Sequence, residues 1–159
     1  MTKKKTTWQE KLNDSHGGPK VSVINEKLSK AWGTGTVVIP APIEVDAYMR
    51  QVPKGKLTTI NEIRQALATR HHATIGCPIT TGIFAWIAAN AAEEQKQQGK
   101  TDITPYWRTL KVKGMINEKY PGGVDAQTLI LQQEGHSVIK KGKNSFVKDY
   151  EKALAKLSQ

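Results

Sequence analysis

The chain has 159 residues, of which 38% are hydrophobic, enough for one domain with a real core. No apolar run approaches the roughly 20 residues of a membrane helix, which argues against a membrane-spanning protein. The 24 basic and 14 acidic residues leave a net charge of +10, which points to a polyanionic partner, most simply nucleic acid. Much of the excess lies at the ends: residues 1–40 carry +4, residues 136–159 carry +4, and the middle only +2. The single cysteine, Cys77, rules out an internal disulfide and fits a reducing compartment. The start, Met1 to Thr7, has no apolar signal core behind it, so a cytoplasmic protein is expected.

Residues 1–41 read as a basic, partly disordered N-terminal arm. Trp8 and Leu12 are spaced for one short amphipathic turn. Val37-Val38-Ile39 is a short β-branched run before Pro40. Gly33-Thr34-Gly35-Thr36 lacks the lysine and the spacing of a phosphate loop. A domain is expected over residues 42–148, and a tail or short helix over 149–159.

Pro42 opens a helix whose apolar residues are Ile43, Val45, Tyr48, Met49 and Val52. Pro53 and Gly55 end it. Thr58 or Thr59 caps the next helix, with Glu62 in capping-box register behind Thr59. Ile60, Ile63, Ala66 and Leu67 give it a core face, with Arg64 and Arg70 nearby. Two helices with a short link read as a helix-turn-helix. His71 and His72 are adjacent and lack partners at metal-ligand spacing, so no metal site is expected and loop solvation or phosphate contact is.

Cys77-Pro78 begins a third helix. Ile79, Ile83, Trp86 and Ile87 share one face; Thr81, Gly82, Ala85, Ala88, Ala89 and Ala92 make a face of small side chains. Such a face suits close packing against another helix or close approach of the backbone to DNA. Cys77 is either a buried inert thiol or one activated by the helix N-terminus. Glu93 to Lys100 is a polar extension. Next comes Thr104-Pro-Tyr-Trp-Arg108, where rigid backbone carries two large aromatics and a cation suited to stacking on a flat polar ligand. Tyr120-Pro-Gly-Gly123 is a tight turn. Asp125 can cap a helix that runs to Glu134 and stops at Gly135. Val138-Ile139 and Phe146-Val147 flank a basic turn holding Lys141 and Lys143, a β-hairpin placed like a wing reaching for a phosphate backbone.

Four of these pieces, in order, resemble the alkylguanine-DNA alkyltransferases, which move an alkyl group from guanine onto a cysteine. That family carries Pro-Cys-His-Arg, a Tyr-x-Gly-Gly turn and a helix ending in Leu-Leu-x-x-Glu-Gly-His. Here stand Pro105-Tyr106-Trp107-Arg108, Tyr120-Pro121-Gly122-Gly123, and Leu129-Ile130-Leu131-Gln132-Gln133-Glu134-Gly135-His136. The upstream Val-Pro-x-Gly-Lys signature is similar to Val52-Pro53-Lys54-Gly55-Lys56. The likeness covers about Pro42 to Lys143. It implies a mainly α fold with a small β-hairpin, a winged helix-turn-helix like the alkyltransferase C-terminal domain.

The departures bear on activity. Tyr106 occupies the place of the acceptor cysteine and Trp107 that of its histidine, so Glu134 has no histidine to orient. A phenol near pKa 10 is a poor nucleophile at neutral pH. The family's arginine finger falls at Thr81 when the helix is aligned through Asn90. The chain is similar to the alkyltransferase-like branch, which lacks the cysteine, binds alkylated DNA without repairing it and signals to other repair systems. The resemblance implies a non-catalytic DNA-binding protein that senses alkylated or flipped bases, without cofactor. Its partners would be double-stranded DNA and a repair protein. The implied base pocket holds Tyr106, Trp107, Arg108, Tyr120, Gly122, Gly123 and Glu134. The implied DNA contacts are Thr80, Thr81, Asn90, Arg64, Arg70, Lys141 and Lys143. Two alternatives stay open: an enzyme using another acceptor, and a winged-helix transcription regulator.

Overall fold

A computed structural model describes residues 6–158. In chain order the elements are α1 (Trp8–Asn13), β1 (Lys20–Val23), α2 (Glu26–Trp32), β2 (Thr36–Ile39), α3 (Pro42–Arg50), β3 (Thr58–Thr59) and α4 (Ile60–Arg70). There follow β4 (Ile75–Gly76), α5 (Pro78–Gln97), β5 (Thr109–Leu110), α6 (Gly123–Gln133), β6 (Val138–Lys141) and β7 (Asn144–Val147). Short 3-10 turns cover Tyr106–Arg108, Val112–Gly114 and Tyr150–Ala153.

Local chemistry accounts for the helix starts. Pro42 opens α3, and the Glu44 carboxylate accepts the Ala41 N–H at 3.0 Å. Thr59 caps α4: its hydroxyl accepts the Glu62 N–H at 3.3 Å and bonds the Glu62 carboxylate, which therefore meets the cap's side chain where a capping box would use its backbone N–H. Asp125 is not the cap of α6. That helix begins two residues earlier, where Gly122 and Gly123 both take positive φ (81° and 70°). A side chain at either would be strained, and a Cβ on Gly122 would sit 2.7 Å from that of Ala126. Asp125 lies instead in the first turn, where the helix dipole favours an anion.

The largest core cluster joins α3, α4 and α5 through Val45, Tyr48, Met49, Ile63, Leu67 and the alanines of α5. A second gathers Leu57, Leu110, Ile116, Leu131 and Val147 beneath the β6–β7 hairpin. Trp107 packs against both. The strand pairs act as staples: β2 pairs β1 antiparallel and β4 parallel, and β3 pairs β5 parallel. The last pairing holds the entry to α4 beside the chain leaving Arg108.

The N-terminal reading needs correction. Met1 to Lys5 lie outside the described residues, but residues 6–41 form α1, β1, α2 and β2 rather than a loose arm. Leu12 is buried in the main core, and α1 is seated on α5 by the Glu94 carboxylate, which accepts the Trp8 and Gln9 N–H groups at 3.1 Å each. One carboxylate satisfying two free donors of a helix N-terminus explains the docking. At the other end, the tail folds back beside β3: Leu57 N–H donates to Ala153 at 2.9 Å and Ala155 N–H to Leu57 at 2.8 Å.

The link from α4 to α5 is tight at Gly76. A Cβ there would meet the Arg64 backbone at 2.6–3.1 Å, and backbone cannot yield as a flexible side chain does. Gly76→Ala is expected to push β4 off α4 and cost about 1–3 kcal/mol, read as a lower urea midpoint.

Candidate nucleic-acid interface

Tyr106, Trp107, Arg108, Tyr120 and Glu134 are brought together, but they face inward. Thr104 enters this segment anchored by its hydroxyl to Asp46 Oδ1 at 2.5 Å. The 3-10 turn then aims Arg108 at Glu134: Nε donates to Oε1 at 2.9 Å and Nη2 to Oε2 at 2.7 Å. Arg108 Nη1 reaches the Val52 carbonyl at 2.8 Å. Side-chain exposure of the pair is 13% and 7%. Arg108 is therefore occupied by protein and not presented to a base or phosphate. Glu134 does have a group to orient, since Trp107 Nε1 donates to its Oε2 at 3.1 Å. Tryptophan keeps the ring N–H that such a carboxylate needs, but offers no basic nitrogen.

Tyr106 is 5% exposed, packed edge-on to Trp107 and Tyr120 at 5.2 and 5.9 Å between ring centres. Burial, and then the nearby Glu93 carboxylate, push its phenol up to about 12. Burial raises the Tyr120 phenol as well. Both stay protonated at neutral pH, and neither ring offers a free stacking face.

Burial opposes charge on Glu134, but hydrogen bonds from Arg108 and Trp107, with the Arg108 charge, hold its carboxyl below the usual carboxylate range. Burial also lowers the imidazole of His136. The signs agree. Below about pH 6.5 the unfolded chain binds a proton at His136 that the fold resists; below about pH 4.3 the same holds at Glu134. Stability is expected to fall on acidification from neutrality, and His136→Gln should flatten the first part of that fall in urea midpoints measured from pH 7.5 to 5.

The α5 helix is turned the opposite way from the DNA-facing reading. Most of its small face is buried, with Thr81, Ala85, Ala88 and Ala89 at no exposure and Ala92 at 1%, but Gly82 turns to the open groove and Ile87, expected on the large face, is buried at 6%. The Thr80 and Thr81 hydroxyls are enclosed and cannot meet a phosphate. Asn90 donates to the Trp86 carbonyl in its own helix at 2.9 Å. Arg70 is half exposed and 3.6 Å from Glu44, and His71 bonds the same carboxylate at 2.6 Å, so His71 is not free in the loop. Lys141 and Lys143 are exposed on the hairpin.

The large apolar residues that α5 shows to solvent are Ile79, Ile83 and Trp86. They line a groove of about 670 Å³ between α4, α5 and residues 111–119. Arg64, Lys111 and Lys119 also line it, and among the described residues its lining holds no acidic side chain. Arg64 is steadied by Nε donating to the Gly76 carbonyl at 2.8 Å. Lys111 lies 3.6 Å from the exposed Glu118. Trp86 spans the groove, its Nε1 donating to the Lys119 carbonyl at 3.2 Å, and Trp8 braces it edge-on at 4.8 Å. The hairpin adjoins this wall, because Phe146 bridges to Met115 just beyond the Val112–Gly114 turn. Trp86, Ile79, Ile83, Lys111 and Lys119 thus line this groove, a placement that the sequence reading did not give them. The signal was there: a helix with one large apolar face and one alanine face packs most closely through the alanines.

These features define a mainly helical architecture in which a capped helix and a longer helix present one open groove, with a basic hairpin beside it. A solved structure of S. pombe Atl1, in complex with damaged DNA containing O6-carboxymethylguanine, is similar at a TM-score of 0.51 and 16% identity, covering 72% of this chain and 94% of that one. At that identity the likeness is one of fold, in line with the family likeness of the sequence motifs. Searches against protein families and against curated proteins find no match.

Proposed function

We propose that this chain is a non-covalent, alkyltransferase-like DNA-binding protein that contacts duplex DNA through the groove beside α5. The observation that carries the reading is the groove itself: an apolar floor with a solvent-facing tryptophan, ringed by Arg64, Lys111 and Lys119. Cations contact phosphate while an aromatic face meets a base. Lys141 and Lys143, exposed on the adjoining hairpin, extend the phosphate contacts. Support comes also from the fold of Atl1, whose structure contains damaged DNA.

The finer reading is that an alkylated or extrahelical base is sensed without transfer. Tyr106, in the acceptor position, is buried and protonated, and Cys77, at the N-cap of α5, is 5% exposed. The test is binding of the purified chain to short duplexes with and without one O6-alkylguanine, at two salt concentrations. Tighter binding to the alkylated duplex, with no mass gain on the protein, is the expected result. Equal binding would remove lesion sensing, and no binding at low salt would sink the DNA reading altogether.

A further inference from the structure

Strand β1 lies ahead of Pro42, where the family likeness begins, and DNA binding through the α5 groove makes no use of it. The sheet order is β1-β2-β4, so β1 is an outer strand. Ile24 N–H donates to the Gly35 carbonyl at 2.9 Å, which makes theirs a bonded pair of the antiparallel ladder. Bonded and unbonded pairs alternate, so Ser22 bonds inward to Val37 while Val21 and Val23 turn their N–H and C=O groups outward. The far side of β2 agrees: the Thr36 and Val38 carbonyls, opposite Val23 and Val21, accept the Thr74 and Cys77 N–H groups. Among the described residues no loop reaches the backbone of Val21 or Val23. Their side chains are 44% and 77% exposed. Proteins usually blunt such an edge with charge, proline, a bulge or a cover. Within β1 only Lys20 does so.

The two faces of β1 differ. Val21 and Val23 share one, and Lys20 and Ser22 share the other, opposite Ile39 and Val37. On that second side α2 packs Leu28 and Trp32 against Ile24 and Val37. Lys20, Lys27 and Lys30 are exposed there, against one carboxylate, Glu26.

We infer that β1 takes up an additional antiparallel strand from another protein, an extended segment that alternates apolar and acidic residues. Its backbone bonds to Val21 and Val23. Its apolar side chains lie beside the two valines, and its carboxylates fall on the lysine side. A second copy of this chain, at net charge +10, would set like charge against like, so charge selects the acidic segment.

The experiment uses the full chain and a synthetic peptide of about eight residues that alternates valine and glutamate. Anisotropy reads affinity, and amide hydrogen exchange followed by NMR reads the strand. The expected result is saturable binding that slows exchange at Val21 and Val23. Methylating the peptide's valine amides, which face β1 in this register, removes two hydrogen bonds and weakens binding roughly 5- to 150-fold; methylating its glutamate amides does not. Lysine in place of glutamate also weakens binding, and added salt narrows that difference. Val23→Pro removes one outward donor and leaves the inward bonds in place, so binding falls while the melting temperature holds. No binding, unchanged exchange at Val21 and Val23 with peptide bound, or equal binding of the valine–lysine peptide overturns the inference. So does full-strength binding by a folded Val23→Pro chain. If that variant unfolds, the two methylated peptides decide the matter on the unaltered chain. Self-association in sedimentation that protects the same two amides assigns the edge to a second copy, and their protection by duplex DNA assigns it to nucleic acid; either result overturns the inference.

Discussion

Glu134→Ala is expected to destabilise the fold by about 3–5 kcal/mol, the usual cost of removing one partner from a buried ion pair. The carboxylate accepts two bonds from Arg108 and one from Trp107, and so ties the end of α6 to the 3-10 turn that sits between the two core clusters. Without it Arg108 keeps the hydrogen bond to the Val52 carbonyl and the Trp107 ring 5.5 Å away, but no anion, in a site where its side chain is 13% exposed. The cost is mostly that of an unanswered buried charge, and not the net value of the pair. The double variant Arg108→Met with Glu134→Leu should therefore recover much of the loss, because it removes both charges and retains volume. Urea midpoints at constant m-value measure this. A loss below about 1 kcal/mol for Glu134→Ala would place the pair in the range of solvent-screened surface bridges.

Trp86→Ala is expected to weaken duplex binding by about 1–3 kcal/mol, roughly 5- to 150-fold, the range for losing one base-stacking platform. Tyr106→Phe should leave affinity unchanged, since that ring is enclosed and its hydroxyl reaches only Glu93, at 3.4 Å. The contrast separates the groove from the motif-derived pocket. Trp86 also rests against Trp8 and bonds the Lys119 carbonyl, so a parallel melt is needed. Trp86→Phe keeps an aromatic face and loses only the indole N–H, and should retain most of the affinity. If Trp86→Ala bound DNA as tightly as the unaltered chain, the groove would not be the contact surface.

The helix starts at Pro42 and Thr59, the glycine turn at 122–123 and the hairpin around Lys141 and Lys143 were legible in the sequence. Each depends on residues within a few positions of one another: a fixed φ, a side chain capping nearby N–H groups, a positive φ open to glycine, or alternation over a short strand. The association of Tyr106, Trp107, Arg108, Tyr120 and Glu134 was legible only through resemblance, and their inward orientation was not. Motif order places residues in one region but does not say whether a guanidinium there meets a ligand or a carboxylate of its own chain.

The faces of α5 were beyond local reading. Both are apolar, and periodicity alone cannot choose between them. The choice falls to α1 and α3, which press against the alanine side, where the absence of bulk lets helix axes come close. That leaves Ile79, Ile83 and Trp86 outside. The docking of α1 has the same character, because Glu94 is more than 80 residues away from the N–H groups that it caps. By itself the sequence determined where helices and turns begin, because those depend on neighbours in the chain. Only the tertiary structure decided which apolar face is core and which is interface, because burial is settled by what packs across from a residue.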